Sequence, residues 1–129
     1  MRSKKLQTAG VICTIACAAT IFTLSCIPSH SFPSAPSFMS HVIHFTEYLC
    51  LGVCLAFALS QPKHSWKFIL LVAIIIVVLY GGSDELHQLL TPGRCCDWRD
   101  WLVDSVGGSI GVACTVWGMS RHGWFSSVG

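Results

Sequence analysis

The chain has 129 residues, of which 53% are hydrophobic and only 11% are charged, with a formal net charge of +2. Soluble domains carry roughly 25% charged residues, and a soluble chain this short has no core large enough to hide so much apolar surface. The small, scattered charge argues against nucleic-acid binding, and no Gly-rich phosphate loop, zinc-ribbon spacing or nucleophile elbow is present.

Four apolar stretches divide the sequence. The first covers about residues 6–27 and follows Arg2, Lys4 and Lys5. Its apolar run is long for the core of a signal peptide, and no small-x-small cleavage site follows, so an uncleaved helix is expected. Thr23 and Leu24 ahead of Ser25 also fit poorly to a lipoprotein signal ending at Cys26. Residues 28–40 are rich in Ser and Pro, lack Lys and Arg, and are expected to form an exposed, partly extended loop.

The second stretch covers about residues 41–60 and is closed by Gln61, Pro62, Lys63, His64 and Ser65. The third begins at Trp66 and is free of charge from Phe68 to Tyr80. That charge-free segment rises only about 20 Å as a helix, whereas the bilayer core needs about 30 Å. The helix is therefore predicted to continue through Gly81 and Gly82 into the polar run from Ser83 to Gln88, ending near residue 90. A short loop with a Pro92-Gly93 turn signal follows. The fourth stretch covers about residues 100–119, ahead of Arg121 and His122. Open sheets cannot span lipid, and no strand-like alternation occurs, so an all-α, four-transmembrane-helix bundle forming one domain over residues 1–129 is expected.

The eight cysteines do not describe a disulfide framework. Cys13, Cys17, Cys50, Cys54 and Cys114 lie inside apolar runs, where a thiol acts as a small hydrophobe. Cys26, Cys95 and Cys96 lie near predicted helix ends, and the adjacent pair lacks the two-residue gap of a redox or zinc motif. Packing roles are expected.

Basic loops stay in the cytoplasm. With both termini cytoplasmic, that side receives Arg2, Lys4, Lys5, Lys63, Lys67 and Arg121, and the other side only Arg94 and Arg99. All six acidic residues then fall at the extracytoplasmic face: Glu47 on helix two, Asp84 and Glu85 on helix three, Asp97 in the outer loop, and Asp100 and Asp104 opening helix four. His44 joins them from helix two, and His87 and Gln88 from helix three.

Within each helix the spacing groups these residues. His44, Glu47 and Tyr48 are three and four apart, as are Asp84, His87 and Gln88, and Asp97, Asp100 and Asp104. First-turn acids such as Asp100 and Asp104 are also favoured by the helix dipole alone. Ionisable groups within a membrane helix need a partner or a water-filled cavity. Arg94 offers a planar counter-charge; protonated acids or a bound divalent cation are the alternatives. On helix four, Gly107, Gly108 and Gly111 form a small-residue face expected to serve close helix packing.

These pieces, in this order, resemble the VanZ-like family of small bacterial membrane proteins, named after a teicoplanin-resistance accessory protein. The resemblance is carried by His44, Phe45, Glu47, Tyr48, Leu51 and Gly52; by the run Ser83, Asp84, Glu85, Leu86, His87, Gln88; by Pro92, Gly93, Arg94; and by Asp100, Asp104, Gly107, Gly108 and Gly111. It spans residues from about 40 to 112. Three positions depart from it. Ser40 and His41 stand where the family often has an Asp-Lys pair, and Asp104 stands where it commonly has Asn.

The resemblance implies an envelope protein of the bacterial cytoplasmic membrane that affects susceptibility to lipoglycopeptides, which act on lipid-linked wall precursors at the outer face. Two functional readings stay open. In one, the protein is not an enzyme, and Tyr48, Gln88, Arg94, Asp97, Asp100 and Asp104 help to bind a lipid head group or a teicoplanin-type antibiotic. In the other, His44, Glu47, Asp84, Glu85 and His87 act as acid, base or metal ligands on a lipid-linked or phosphate-containing substrate. A proton or ion pathway is disfavoured, because the cytoplasmic halves of the helices offer almost no polar residues.

Overall fold

The computed structural model describes residues 2–28, 31, 37–61 and 63–125. Most of the predicted Ser- and Pro-rich loop, and Pro62 in the next one, lie outside the described residues. The fold is all-α: α1 (Arg2–Ser25), α2 (Ser37–Leu59), α3 (Trp66–Gln88) and α4 (Trp98–Arg121). Each contains a candidate membrane span of 22 to 24 residues, which at 1.5 Å per residue rises roughly 33–36 Å and suffices for a bilayer core. All eight cysteines are free thiols.

The helix starts differ from expectation for identifiable reasons. Helix α4 begins two residues earlier than the predicted residue 100, because Asp97 caps it by accepting a 2.9 Å hydrogen bond from the Arg99 amide. Asp97 is thus a helix cap, not simply a loop acid. Ser65 caps α3 by accepting from the Phe68 amide at 3.2 Å. Helix α2 starts four residues before the predicted 41, and α3 stops at Gln88 instead of near residue 90.

Helix α2 packs against all three other helices, α4 packs on α2 and α3, and α1 leans chiefly on α2. Glycines set the closest approaches. A side chain beginning at Gly52 would run into the backbone of Gly108, and one at Gly111 into the carbonyl of Leu49. One at Gly107 would begin 2.6 Å from the Phe45 carbonyl oxygen. The glycine face of α4 therefore rests directly on the backbone of α2, and the two helices run parallel. Because backbone cannot swing aside, Gly107→Ala is expected to cost about 1–3 kcal/mol, measurable as a lower thermal midpoint in detergent.

The buried stripe changes character along its length. On α3, Ile69, Ala73 and Val77 are buried, followed on the same side by Gly81, Asp84, Glu85 and Gln88. On α4 the order is reversed: Asp104 comes first, then the glycines, then Val112, Val116 and Met119. On α2, His44 and Tyr48 precede Leu51, Leu55 and Ala56. The antiparallel course of α3 against its neighbours brings the three polar ends together, so one end of the bundle has polar residues at core positions. Outside, Ile12, Ile15, Leu71, Leu79, Leu86 and Trp117 are among the large apolar side chains left exposed, as lipid contact requires.

Candidate functional site

The polar end of the core is built by α2, α3 and α4. His44 Nδ1 on α2 lies 3.0 Å from Asp104 Oδ1 on α4, with the imidazole donating to the carboxylate. Asp104 is fully buried, as is Tyr48, while Glu85 is 2% exposed. One ligand-type atom from each of His44, Glu85 and Asp104 lies within 4.8 Å of the other two. Glu85 Oε2 accepts a 2.8 Å hydrogen bond from the Asp97 amide, which ties the carboxylate to the start of α4.

One rung farther out, His41 Nε2 lies 3.2 Å from Asp100 Oδ1. The pairs His41–Asp100 and His44–Asp104 form a two-rung ladder between the parallel helices α2 and α4, one helical turn apart. His41 and Asp104 each supply one half of a rung.

The floor and side of the site are small and aromatic. A side chain at Gly81 would begin 3.4 Å from both Asp104 Cβ and Trp101 Cδ1, and 3.5 Å from Tyr48 Cε1. Glycine at this position lets Tyr48, Trp101 and Asp104 converge on α3. Trp101 is fixed by its indole N–H, which donates to the Val78 carbonyl at 3.0 Å.

Three buried oxygens in this region, Tyr48 Oη, Glu85 Oε1 and Asp104 Oδ2, have no hydrogen-bond partner among the described residues. Buried polar groups are normally paired, and each orphan costs about 1–3 kcal/mol. Two of the three are acceptors only when the carboxylates are ionised, so the group that satisfies them presents hydrogen-bond donors or positive charge.

The remaining sequence-derived residues distribute around this centre. Asp84 is buried and accepts from Gln88 Nε2 at 3.3 Å, one turn along α3. Glu47 is half-buried and interacts electrostatically with His44, Asp104, Asp84 and Arg94. Arg94 also ties the α3–α4 loop to the end of α1: its Nε donates to the Ile27 carbonyl at 3.3 Å and its Nη2 to the Leu24 carbonyl at 3.4 Å. Thr91 reinforces that junction through a 3.0 Å bond to the Ser25 carbonyl.

His87 belongs to a different neighbourhood. It stacks on Phe22 of α1 with ring centroids 4.5 Å apart, and its Nε2 lies 3.3 Å from Cys26 Sγ. Sequence spacing grouped it with Asp84, but its ring joins the α1 contact instead. Conversely, spacing overlooked His41 and Trp101. A signal for His41 was present, since it lies three residues from His44 on α2 as Asp100 lies four from Asp104 on α4, each about one helical turn. Trp101 had no such mark.

Four membrane-length helices with polar residues gathered in one end of their core define a multi-pass membrane protein with an enclosed polar site. The VanZ/LLP1 family model matches residues 17–119, most of the sequence, and the chain belongs to this family. No curated protein and no solved structure matches the chain.

Proposed function

We propose that this protein resides in the bacterial cytoplasmic membrane with both termini in the cytoplasm and its polar site opening outward. There it binds a polar group at the membrane surface, namely a lipid head group, a lipid-linked wall precursor or a teicoplanin-type lipoglycopeptide, and so alters susceptibility to such antibiotics. The observation that carries this reading is the set of buried oxygens without hydrogen-bond partners among the described residues, Tyr48 Oη, Glu85 Oε1 and Asp104 Oδ2. Natural cores do not keep several such atoms in one neighbourhood without something to satisfy them. The outward orientation is supported by charge: Lys63, Lys67 and Arg121 sit at the opposite end of the bundle from the acidic residues.

A second reading is supported by the hydrogen-bonded His44–Asp104 pair beside Glu85. The same side chains have the chemistry of an acid–base or metal-assisted site acting on a lipid phosphate.

Tyr48→Phe separates ligand binding from folding. The hydroxyl has no hydrogen-bond partner among the described residues, so its removal is expected to leave stability within about 0.5 kcal/mol of wild type or raise it slightly. Binding to nanodiscs carrying defined head groups, or to teicoplanin, is expected to fall about tenfold. Folded Tyr48→Phe and Glu85→Gln proteins that keep wild-type binding and wild-type antibiotic susceptibility in cells would remove the ligand-site reading. Turnover of a lipid phosphate, lost in the same variants, would favour the enzyme.

A further inference from the structure

We propose that His44, Glu85 and Asp104 bind a single divalent transition-metal ion of the zinc or manganese type at the polar end of the α2–α3–α4 core. The proposal rests on reading this cluster as the ligand site and gives that site its first ligand.

The donors come from three different helices, so the ion would be held by the tertiary fold. His44 Nδ1 and Asp104 Oδ1 are already 3.0 Å apart. Two donors on one ion, each at about 2.0–2.2 Å, lie roughly 3–4 Å from one another. The ion can therefore take the place of the proton between His44 and Asp104 with little movement. All three ligand atoms lie within 4.8 Å of one another, so binding an ion would require them to close by at most about 1 Å.

Each carboxylate is divided in a way that suits a ligand. Glu85 has one oxygen fixed by the Asp97 amide and the other unpartnered. Asp104 has one oxygen on His44 and the other unpartnered. A backbone bond behind a ligating carboxylate is the usual means of holding it in place. Both residues are buried, so the unpartnered oxygens are not explained by solvation.

The donor types choose the metal. An imidazole beside two carboxylates suits zinc, manganese or iron(II), whereas calcium and magnesium favour oxygen-only shells. Charge agrees: Glu47 and Asp84 lie around the trio, and a dication offsets part of that negative charge. Three protein ligands leave at least one coordination position open, and an oxygen of the membrane-surface ligand would occupy it. Tyr48 Oη, unpartnered in the same region, would then contact that ligand or a metal-bound water.

The test uses the full chain, purified in detergent without a histidine tag, stripped with a chelator and titrated with Zn2+ and Mn2+ in the presence of Mg2+. The wild type is expected to bind about one equivalent of Zn2+ and to release a proton as it does so. Glu85→Gln and Asp104→Asn are expected to weaken binding at least about tenfold. His64→Gln, a change near the opposite end of the bundle, is expected to match wild type.

Failure of the wild type to bind a stoichiometric ion overturns the proposal, as does unchanged binding in folded Glu85→Gln and Asp104→Asn proteins. If those variants do not fold, Co2+ added to wild type decides: a visible absorption band saturating at one equivalent supports the site, and no band overturns it. The two readings fail separately. Loss of ligand binding in Tyr48→Phe without any metal uptake leaves the ligand site and removes the ion. Metal uptake with ligand binding untouched by Tyr48→Phe leaves the ion and removes the ligand site.

Discussion

Asp104→Ala is expected to destabilise the bundle by about 3–5 kcal/mol, the range measured when one member of a buried hydrogen-bonded charge pair is removed. The carboxylate is fully buried, and its Oδ1 holds His44 at 3.0 Å. Its removal leaves an imidazole in a nonaqueous setting without its acceptor. His44→Ala is expected to be similarly damaging, and the double variant much less so than the sum of the two. A double-mutant cycle followed by thermal unfolding in detergent measures this coupling. Additive effects would show that the pair contributes nothing jointly. Asp104→Asn keeps an acceptor for His44 and is expected to recover most of the stability.

Arg94→Ala is the second large effect, with an expected loss of about 3 kcal/mol from two charge-assisted hydrogen bonds. Its guanidinium donates to the carbonyl of Leu24, which also accepts from the Ile27 amide, and to that of Ile27 just past the end of α1. The cation also suits the negative end of that helix. Hydrogen exchange should therefore accelerate in the last turns of α1 and in the α3–α4 loop, while the centre of α4 stays protected. Arg94→Lys should rescue only part, because a point charge does not reproduce the fork that reaches both carbonyls. Uniform loss of protection throughout the bundle would contradict this local role.

The sequence made the helices readable because lipid demands long apolar runs, and the polar continuation of α3 through Gly81 followed from length alone. The gathering of acids near one end was readable for the same reason, since helix direction fixes which ends meet. Rotation about each helix axis was not. Asp84, His87 and Gln88 share a spacing, yet only Asp84 and Gln88 occupy the buried stripe, while His87 meets Phe22 and Cys26. The deciding factor is how α1 lies on its neighbours, and no motif in α1 encodes that. The pairing of His44 with Asp104 depends on the parallel register of α2 and α4, which the contact of Gly52 with Gly108 fixes. The glycines were legible as a packing face; their partner on α2 was not. Asp97 looked like a loop acid because helix starts are set by a cap geometry that composition does not display.

The tryptophans carry a consequence for how deeply the site sits. Exposed Trp98 has Arg99 beside its ring at 5.7 Å, and exposed Trp117 has Arg121 at 4.9 Å. Aromatic and basic pairs of this kind anchor at the two edges of the hydrocarbon layer. They are nineteen residues apart on α4, roughly 28 Å along the axis, close to the thickness of an ordinary bilayer. Asp104 then lies about 9 Å below the upper anchor, beneath the level where head groups meet water. A thinner membrane would bring that level down toward the site and hydrate it, and a thicker one would leave the site deeper below it. Bilayer thickness, set by acyl-chain length, is thus a physical control on access to Asp104 that requires no change in the protein.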